Sequence, residues 1–271
     1  MKRRFFWMMA AILICGASVF TACSKDDEKS NQLDNLPEKI IGKWINVVDD
    51  GYDTPTNQKI VLTFLSPTKV QFSLSAFSPA TSGWVPHQDC DVAFNGNHAT
   101  VTTQAFGMLY TCEYTIHSIS DKEMDVDYTQ NYSVNGQIRR QIHGVEHFQR
   151  MDVDYTQDIL GAWEGRSTGD ETSEFDDGED HCWEYLADGT FRYYHKVDGR
   201  WQASNDEYAN YFVDGYLLCT CWKNVGEGME EHREWWEIES IENGVMKWKA
   251  LRMRDDGSTY TSTFEMTKVT K

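Results

Sequence analysis

The sequence consists of two similar halves, and this duplication constrains the fold more than any other feature. Gly42-Lys43-Trp44 opens one series of short β-rich segments, and Gly161-Ala162-Trp163 opens a second series about 119 residues later. Self-similarity at a fixed spacing is the signature of repeated structural units. We therefore predict two similar domains in tandem, residues 38–151 and residues 157–271.

Dipeptides typical of tight turns separate the segments of the second copy. They accept the positive φ angles of hairpin turns, so neighbouring strands are predicted to be antiparallel. These dipeptides are Asp188-Gly189, Asp198-Gly199, Asp214-Gly215, Asn243-Gly244 and Asp256-Gly257. In the first copy, Asn95-Gly96 and Asn135-Gly136 supply matching turns.

Each copy contains eight segments with the composition of β-strands. In the first copy they are residues 42–48, 59–65, 69–75, 90–94, 98–104, 108–119, 123–133 and 137–151. In the second copy they are residues 160–166, 182–186, 190–196, 208–213, 216–222, 231–241, 245–254 and 258–269. Eight antiparallel strands with short connections can close into an up-and-down barrel, which leaves no free sheet edge. The predicted fold is all-β, with two tandem eight-stranded barrels, and a β-sandwich with its longer crossover connections is the alternative.

The N-terminus has the layout of an export signal. Lys2, Arg3 and Arg4 precede an apolar run over residues 5–20, and the small residues Thr21-Ala22 follow. This order of a basic, an apolar and a small-residue region predicts a cleaved signal peptide over residues 1–22, with a retained membrane anchor as the alternative. Residues 23–37 lack apolar periodicity and are predicted to form a flexible acidic tether.

The segment Phe20-Thr21-Ala22-Cys23 resembles a bacterial lipobox. The resemblance implies that Cys23 becomes the lipid-bearing first residue of the mature protein and attaches it to a membrane. The acidic cluster at residues 24–28 resembles the surface-export tag of certain Gram-negative lipoproteins, although a plain charged linker would look alike. The implied location is the outer membrane, at the cell surface or alternatively on its periplasmic face.

The negative charge of the chain argues against nucleic acid as a partner and favours a cationic protein. The formal net charge is −18, which makes nucleic acid an unfavourable partner. Residues 157–271 hold 25 acidic against 12 basic side chains, so a cationic protein is a candidate partner. The densest acidic stretch, residues 170–180, has no regular apolar pattern and is predicted to be an exposed loop. Calcium binding is the alternative, but the spacing of the acidic residues does not match that of a calcium loop.

Five cysteines remain after the signal peptide and the lipidated Cys23. An exported chain can oxidise its thiols, so Cys90 and Cys112 are a candidate disulfide in the first copy. In the second copy, Cys182 is a candidate partner for either Cys219 or Cys221, which leaves one thiol over. A zinc site that joins Cys219 and Cys221 with Cys182 and His181 is the alternative, but the usual Cys-x-x-Cys spacing is missing, and we predict no metal.

A Gly-x-Trp strand followed by an eight-strand meander resembles the lipocalin-like, or calycin, domains of bacterial lipoproteins, and the resemblance covers both copies. It implies that a tryptophan closes one end of each barrel beneath a basic side chain from the last strand. The corresponding pairs are Trp44 with Arg150 and Trp163 with Lys268. This implied role is structural rather than catalytic.

Tryptophans are concentrated in the second copy, which is therefore the better candidate for a ligand site. An eight-stranded barrel is wide enough to be filled by side chains or to hold one small ligand. The candidate ligand-binding residues are Trp183, Trp201, Trp222, Trp235, Trp236 and Trp248. The alternative is that these rings only fill the core.

Strand 231–241 has two mixed faces by the alternation of side chains along a strand. One face holds Glu231, Arg233, Trp235, Glu237 and Glu239, and the other holds His232, Glu234, Trp236, Ile238 and Ser240. Such a strand either twists strongly at a barrel end or carries polar groups into a lumen that a polar ligand could use.

No catalytic constellation stands out in the sequence, and we predict no enzymatic activity and no cofactor. The cysteines are not shared between the copies, since Cys219 and Cys221 align with Thr100 and Thr102. Two functions remain: a membrane-anchored binding module for a small apolar or amphipathic molecule, and an acidic lipoprotein that captures or inhibits a cationic protein.

Overall fold

The chain forms two antiparallel sheets of nine strands each, one after the other in sequence. The computed structural model describes residues 33–74, 88–105, 108–168, 180–226 and 231–270. The signal peptide, Cys23, the acidic cluster at residues 24–28 and nearly all of the predicted acidic loop lie outside the described residues. No helix within these ranges is both long and apolar enough to cross a membrane.

The first sheet is preceded by a short helix, α1, over Leu36–Lys39. Its strands are β1 Gly42–Asp49, β2 Tyr52–Asp53, β3 Ile60–Ser66, β4 Lys69–Leu74, β5 Gln88–Asn95, β6 His98–Ala105, β7 Met108–Ile119, β8 Glu123–Val134 and β9 Gln137–Arg150. A 3₁₀ turn, Thr56–Gln58, lies between β2 and β3.

The strands of the second sheet are β10 Gly161–Ser167, β11 His181–Tyr185, β12 Phe191–Val197, β13 Arg200–Ala203, β14 Asp206–Asp214, β15 Leu217–Asn224, β16 His232–Glu242, β17 Val245–Met253 and β18 Thr259–Val269.

The first sheet closes into an eight-stranded barrel, as the sequence predicts. Strand β1 pairs with β3 on one side and with β9 on the other, so Trp44 lies opposite both Leu62 and Arg150. The remaining strands follow in meander order, and the short β2 only extends the hairpin after β1. Each of the eight predicted segments of this copy overlaps a strand of the closed ring.

The second sheet is curled into a half-barrel, which we call the second barrel; unlike the first, it is not closed by strand pairing as the sequence predicts, because its fourth strand is broken. Strand β13 pairs with β12, whereas β14, two residues further along, pairs with β15 instead. The edges meet at a single bridge between Thr190 and Asn210 and a bond from Tyr211 N to Gly189 O of 2.8 Å. The sequence predicts only one strand here, residues 208–213, because three of the four residues of β13 are exposed and give no alternating apolar pattern.

One end of each barrel is sealed by the same arrangement. The Trp44 indole N–H donates to Ile40 O at 2.7 Å, and the Trp163 indole N–H donates to Ile159 O at 2.6 Å. All four side chains are buried. Because Leu36 of α1 also lies in this core, the prediction of a flexible tether up to residue 37 is wrong at its C-terminal end.

The basic side chains of the last strands lie over these tryptophans, in the positions that the lipocalin-like resemblance implies. Arg150 Cζ lies 4.2 Å from the centre of the Trp44 ring, and Lys268 Nζ lies 5.0 Å from that of Trp163. The Arg150 guanidinium also donates to Ile41 O at 2.6 Å. Gly42 adopts a φ of 128°, and a Cβ there would lie 2.3 Å from Arg150 Nη1, so this glycine makes room for the stacked guanidinium.

A hydrophobic cluster joins the two barrels. Ile45, Val61 and Met151 of the first half pack against Leu217 and Cys219 of the second, and all five are buried. This interface was not predicted from the sequence. Its apolar residues alternate along the strands with residues of the barrel cores, so the strands have a second buried face.

Two ion pairs flank the apolar cluster between the barrels. Lys43 pairs with Asp214, whose side chain is fully buried. Lys59 Nζ lies 3.5 Å from Glu237 Oε1, and Thr56 Oγ1 donates to the same carboxylate oxygen at 3.0 Å. The barrels are thus connected by packed and charged contacts as well as by the chain between them.

The candidate disulfides are wrong for the described residues, where none of the five cysteines forms a disulfide. Cys90 lies on β5 and Cys112 on β7, and β6 runs between them. Two strand spacings amount to about 9.5 Å, more than the roughly 7 Å that a disulfide can span between Cα atoms. Cys182 on β11 is likewise on a strand that does not neighbour β15, which carries Cys219 and Cys221.

Candidate functional site

The second barrel encloses a cavity of about 570 Å³, whereas the void found in the core of the first barrel is only about 10 Å³. Ligand sites in proteins typically measure about 300–1,000 Å³. The small void of the first barrel is lined by packed residues such as Leu62, Phe64 and Ile116. Of the two voids formed by described residues, the one in the second barrel has room for a small molecule.

Four of the six predicted tryptophans line this cavity: Trp183, Trp222, Trp236 and Trp248. The prediction is wrong for the other two. Trp201 lies on the short β13, outside the cavity, with Lys196 Nζ 4.7 Å from its ring centre. Trp235 points to the opposite face of β16 and packs against the cluster between the barrels.

The cavity wall also contains aromatic residues that the sequence analysis did not select. Tyr185 on β11 and Phe191 and Tyr193 on β12 complete the wall. Alternation along these two strands would have found them, because they share a face with Trp183. These three residues were not predicted, because only tryptophans were selected as candidate ligand-binding residues.

The aromatic rings are packed against one another rather than free to turn. The Trp236 and Trp248 rings stack with centres 5.2 Å apart, and Trp183 meets Trp248 edge-on at 5.4 Å. Nearer one end, Trp222 stacks on His232 at 5.3 Å. A wall held in this way presents a fixed set of ring faces to a ligand.

Two polar atoms in this wall are buried and have no hydrogen-bond partner in the described part of the chain. They are the Tyr185 hydroxyl and the Trp248 indole nitrogen. Buried polar groups are rarely left unpaired in folded proteins, and exceptions are often completed by a ligand or by water. Burial also raises the pKa of Tyr185 well above its usual range, so the hydroxyl is protonated at neutral pH.

Strand β16 carries polar side chains to the cavity. His232, Glu234 and Trp236 line it from one predicted face, and Glu231 and Arg233 line it from the other. Glu234 is paired with Arg252 of β17, and the Arg252 Cζ lies 4.6 Å from the centre of the Trp236 ring. On the opposite face of β16, Trp235 and Glu237 contact the first barrel.

A second carboxylate near the cavity is held by neighbouring donors. Glu231 accepts hydrogen bonds from the Tyr208 hydroxyl and from the Arg233 guanidinium. Burial works to raise the pKa of Glu231, but these bonds outweigh it and hold the pKa below its ordinary value. Glu231 is therefore ionised at neutral pH.

A more open groove of about 710 Å³ lies between the barrels. Its wall includes Lys59, Tyr216 and Glu237. Burial lowers the pKa of Lys59, while the nearby Glu237 carboxylate acts in the opposite direction. Because Lys59 and Glu237 already pair with each other across the groove, we interpret this feature as part of the interface between the barrels.

The described ranges contain no group of three histidine, cysteine, aspartate or glutamate side chains placed to hold a metal ion. The zinc alternative fails because Cys219 is buried in the cluster between the barrels, and Cys182 lies on a strand distant from β15 in the sheet.

Comparisons with known proteins identify no family. No protein-family profile matches the chain, and no curated protein matches it. Among the solved structures that resemble it are two of very low identity. One is a protein of unknown function of the DUF3598 family from Nostoc punctiforme, with 9% identity, a TM-score of 0.25, and coverage of 86% of this chain and 97% of that one.

The other is a double mutant of transferrin binding protein B, a vaccine antigen from Haemophilus parasuis. Its identity is 8% and its TM-score 0.23, and the match covers 85% of this chain and 59% of that one. Both TM-scores are too low for either structure to support an argument about this chain. The sheets and the cavity described above are therefore what defines this protein.

Proposed function

We propose that this protein is a membrane-anchored, non-catalytic binding module, and that its second barrel holds a small apolar or amphipathic molecule. The observation that carries the proposal is the cavity of about 570 Å³ that the second barrel retains behind an aromatic wall. Among the described residues of the first barrel, the void in the packed core measures only about 10 Å³. A retained cavity with a few polar groups is the usual form of a ligand site.

Replacing Trp222 by alanine is expected to weaken binding of the ligand about tenfold or more, because a buried aromatic contact is commonly worth at least 1–2 kcal/mol in a binding site. Trp222 lines the cavity and is only half-buried, so its loss should leave the barrel folded. Native mass spectrometry and solvent extraction of the purified mature chain identify the ligand, and tryptophan fluorescence titration then measures its affinity.

Trp201→Ala is the matched control, because Trp201 lies on the same sheet outside the cavity. Equal losses of affinity in the two variants would contradict a site in the lumen. If no small molecule is recovered and the chain instead binds basic proteins in a salt-sensitive manner, capture of a cationic protein replaces this proposal. The excess of acidic side chains in residues 157–271, 25 against 12, favours that second function.

We further propose that lipid on Cys23 attaches the protein to the outer membrane, with its barrels at the cell surface. The proposal rests on the lipobox-like sequence ending at Cys23 and on the acidic residues that follow it. Cys23→Ser is expected to move the protein from the membrane fraction to the soluble fraction and to abolish fatty-acid labelling, because acyl chains supply about 0.8 kcal/mol of membrane affinity per buried methylene.

Cys15→Ser is the control for Cys23→Ser, because Cys15 lies within the predicted signal peptide. A Cys23→Ser protein that still carries label and stays in the membrane fraction would rule out this anchor. The surface location is tested separately, by protease treatment of intact cells. Protection from protease in intact cells would favour the periplasmic face instead.

A further inference from the structure

We propose that the cavity of the second barrel selects organic cations, such as an alkylammonium with an apolar tail, over neutral and anionic molecules of the same size. This inference rests on the proposed function, since it names the class of ligand for that site. Its basis is the combination of aromatic ring faces and an excess of carboxylates around one cavity.

The aromatic wall supplies the first part of the selectivity. The face of an aromatic ring carries partial negative charge and attracts a cation placed within about 6 Å of its centre, tryptophan most strongly. One such contact already exists beside the cavity, because the Arg252 guanidinium lies 4.6 Å from the centre of the ring of Trp236, which lines it. Trp183, Trp222 and Tyr193 line the same cavity and offer further rings to a ligand.

The charges around the cavity supply the second part. Three carboxylates line it, those of Asp206, Glu231 and Glu234, but only one arginine, Arg233. The nearby Arg252 is the partner of Glu234. Even with both guanidinium groups counted, the carboxylates remain in excess, so an incoming positive charge is attracted and an incoming negative charge is repelled.

The two arginines are poorly placed to receive an anionic ligand. Arg233 is bound to Glu231, and Arg252 is bound to Glu234. The side chain of Glu234 is only 9% exposed, so an anion that took Arg252 from it would leave a buried carboxylate without its partner. Removing one member of a buried ion pair is strongly unfavourable.

The polar part of the cavity lies at one end, which suits a molecule with a charged head and an apolar tail. Asp206 begins β14 and lies opposite Asn224 at the end of β15, and His232 begins β16 opposite Trp222. The rings of Trp236 and Trp248 lie deeper in the barrel. The head of the ligand would therefore lie among the carboxylates and its tail against these rings.

Three probes that share an eight-carbon tail test the inference: octyltrimethylammonium, octanoate and octanol. Calorimetric or fluorescence titration of the mature chain is expected to give the ammonium compound an affinity about tenfold above that of octanol, with octanoate weakest, as expected for about 1.4 kcal/mol of cation–ring and charge attraction. Asp206→Asn should reduce the preference for the ammonium compound over octanol severalfold.

Asp198→Asn is the matched control, because it removes the same charge at an exposed hairpin turn outside the cavity. Glu234→Gln provides a second variant, which frees Arg252 and is expected to improve octanoate binding. Equal affinities for the three probes, or tightest binding of octanoate, would overturn the inference while the binding function stands. Failure of all three probes to bind would count against both.

Discussion

Lys43→Met is expected to lower the free energy of unfolding by about 3–5 kcal/mol, the range observed when one partner of a buried ion pair is removed. The substitution leaves the Asp214 carboxylate, whose side chain is fully buried, without the Lys43 ammonium group. The second oxygen of this carboxylate already has no hydrogen-bond partner within the described residues. Urea unfolding of the mature chain, followed by tryptophan fluorescence, measures the change.

Lys69→Met is the matched control for this prediction. Lys69 pairs with Asp91 on the first barrel, but both side chains are more than half exposed, at 60% and 74%. Exposed ion pairs contribute little to stability, so this variant should behave like the wild type. A double variant, Lys43→Met with Asp214→Leu, should recover most of the loss, because it replaces the buried pair with apolar side chains.

If Lys43→Met destabilises the protein no more than Lys69→Met does, the contact between the barrels is not a buried ion pair in solution.

The contact between the barrels also affects the cavity of the second barrel. Strand β16 carries Trp236 into the lumen and Glu237 into the interface, so the two barrels share this wall. A loosened interface should therefore also weaken ligand binding.

The stability of the protein is expected to fall by several kcal/mol as the pH rises from about 5 to about 8, through Glu146 in the first barrel. Glu146 is buried, and it points into the lumen beside Phe148. Burial, with a further contribution from the charge of Asp49, raises the pKa of Glu146 to about 8, and a hydrogen bond from Asn46 opposes the shift.

The sign follows from the direction of this shift. In the unfolded chain Glu146 loses its proton near its ordinary pKa of 4.5, whereas in the folded protein it keeps the proton until about pH 8. Its contribution to stability is therefore fully present below about pH 4.5 and is lost progressively up to about pH 8, at about 1.4 kcal/mol per pH unit. The raised pKa of Asp49 acts in the same direction at lower pH.

Glu146→Gln tests this assignment, because glutamine has the shape of the protonated acid and no charge at any pH. The variant is expected to have a much flatter stability profile between about pH 5 and 8 and to exceed the wild type in stability at about pH 8. Glu123→Gln, on the exposed surface of β8, is the control and should retain the wild-type slope. A wild-type slope in Glu146→Gln would show that another group is responsible.

Much of the fold could be predicted from local patterns in the sequence. Turn dipeptides and alternation located all eight strands of the first barrel, because both signals act between residues that are near neighbours in the chain. The fourth strand of the second barrel was only partly found, since its break between β13 and β14 depends on which neighbour each half pairs with. Pairing of that kind is decided by distant strands.

The candidate site was predicted less completely than the fold. Composition identified the second barrel, and four of its tryptophans line the cavity. Sequence alone could not separate Trp235 from Trp236, because both faces of β16 are covered, one by the lumen and the other by the first barrel. An alternating pattern identifies a buried face only when the opposite face meets water.

By itself, the sequence determined the repeat, the strands and the turns, because each depends on residue types at short or repeated spacings, and the lipocalin-like resemblance implied the pairing of Arg150 with Trp44. The tertiary structure alone decided that the second barrel retains a cavity, that the cysteines stay apart, and that Asp214 and Glu146 are buried. Those outcomes depend on how side chains from distant strands fill a shared volume, and close packing of that kind leaves no periodic trace along the chain.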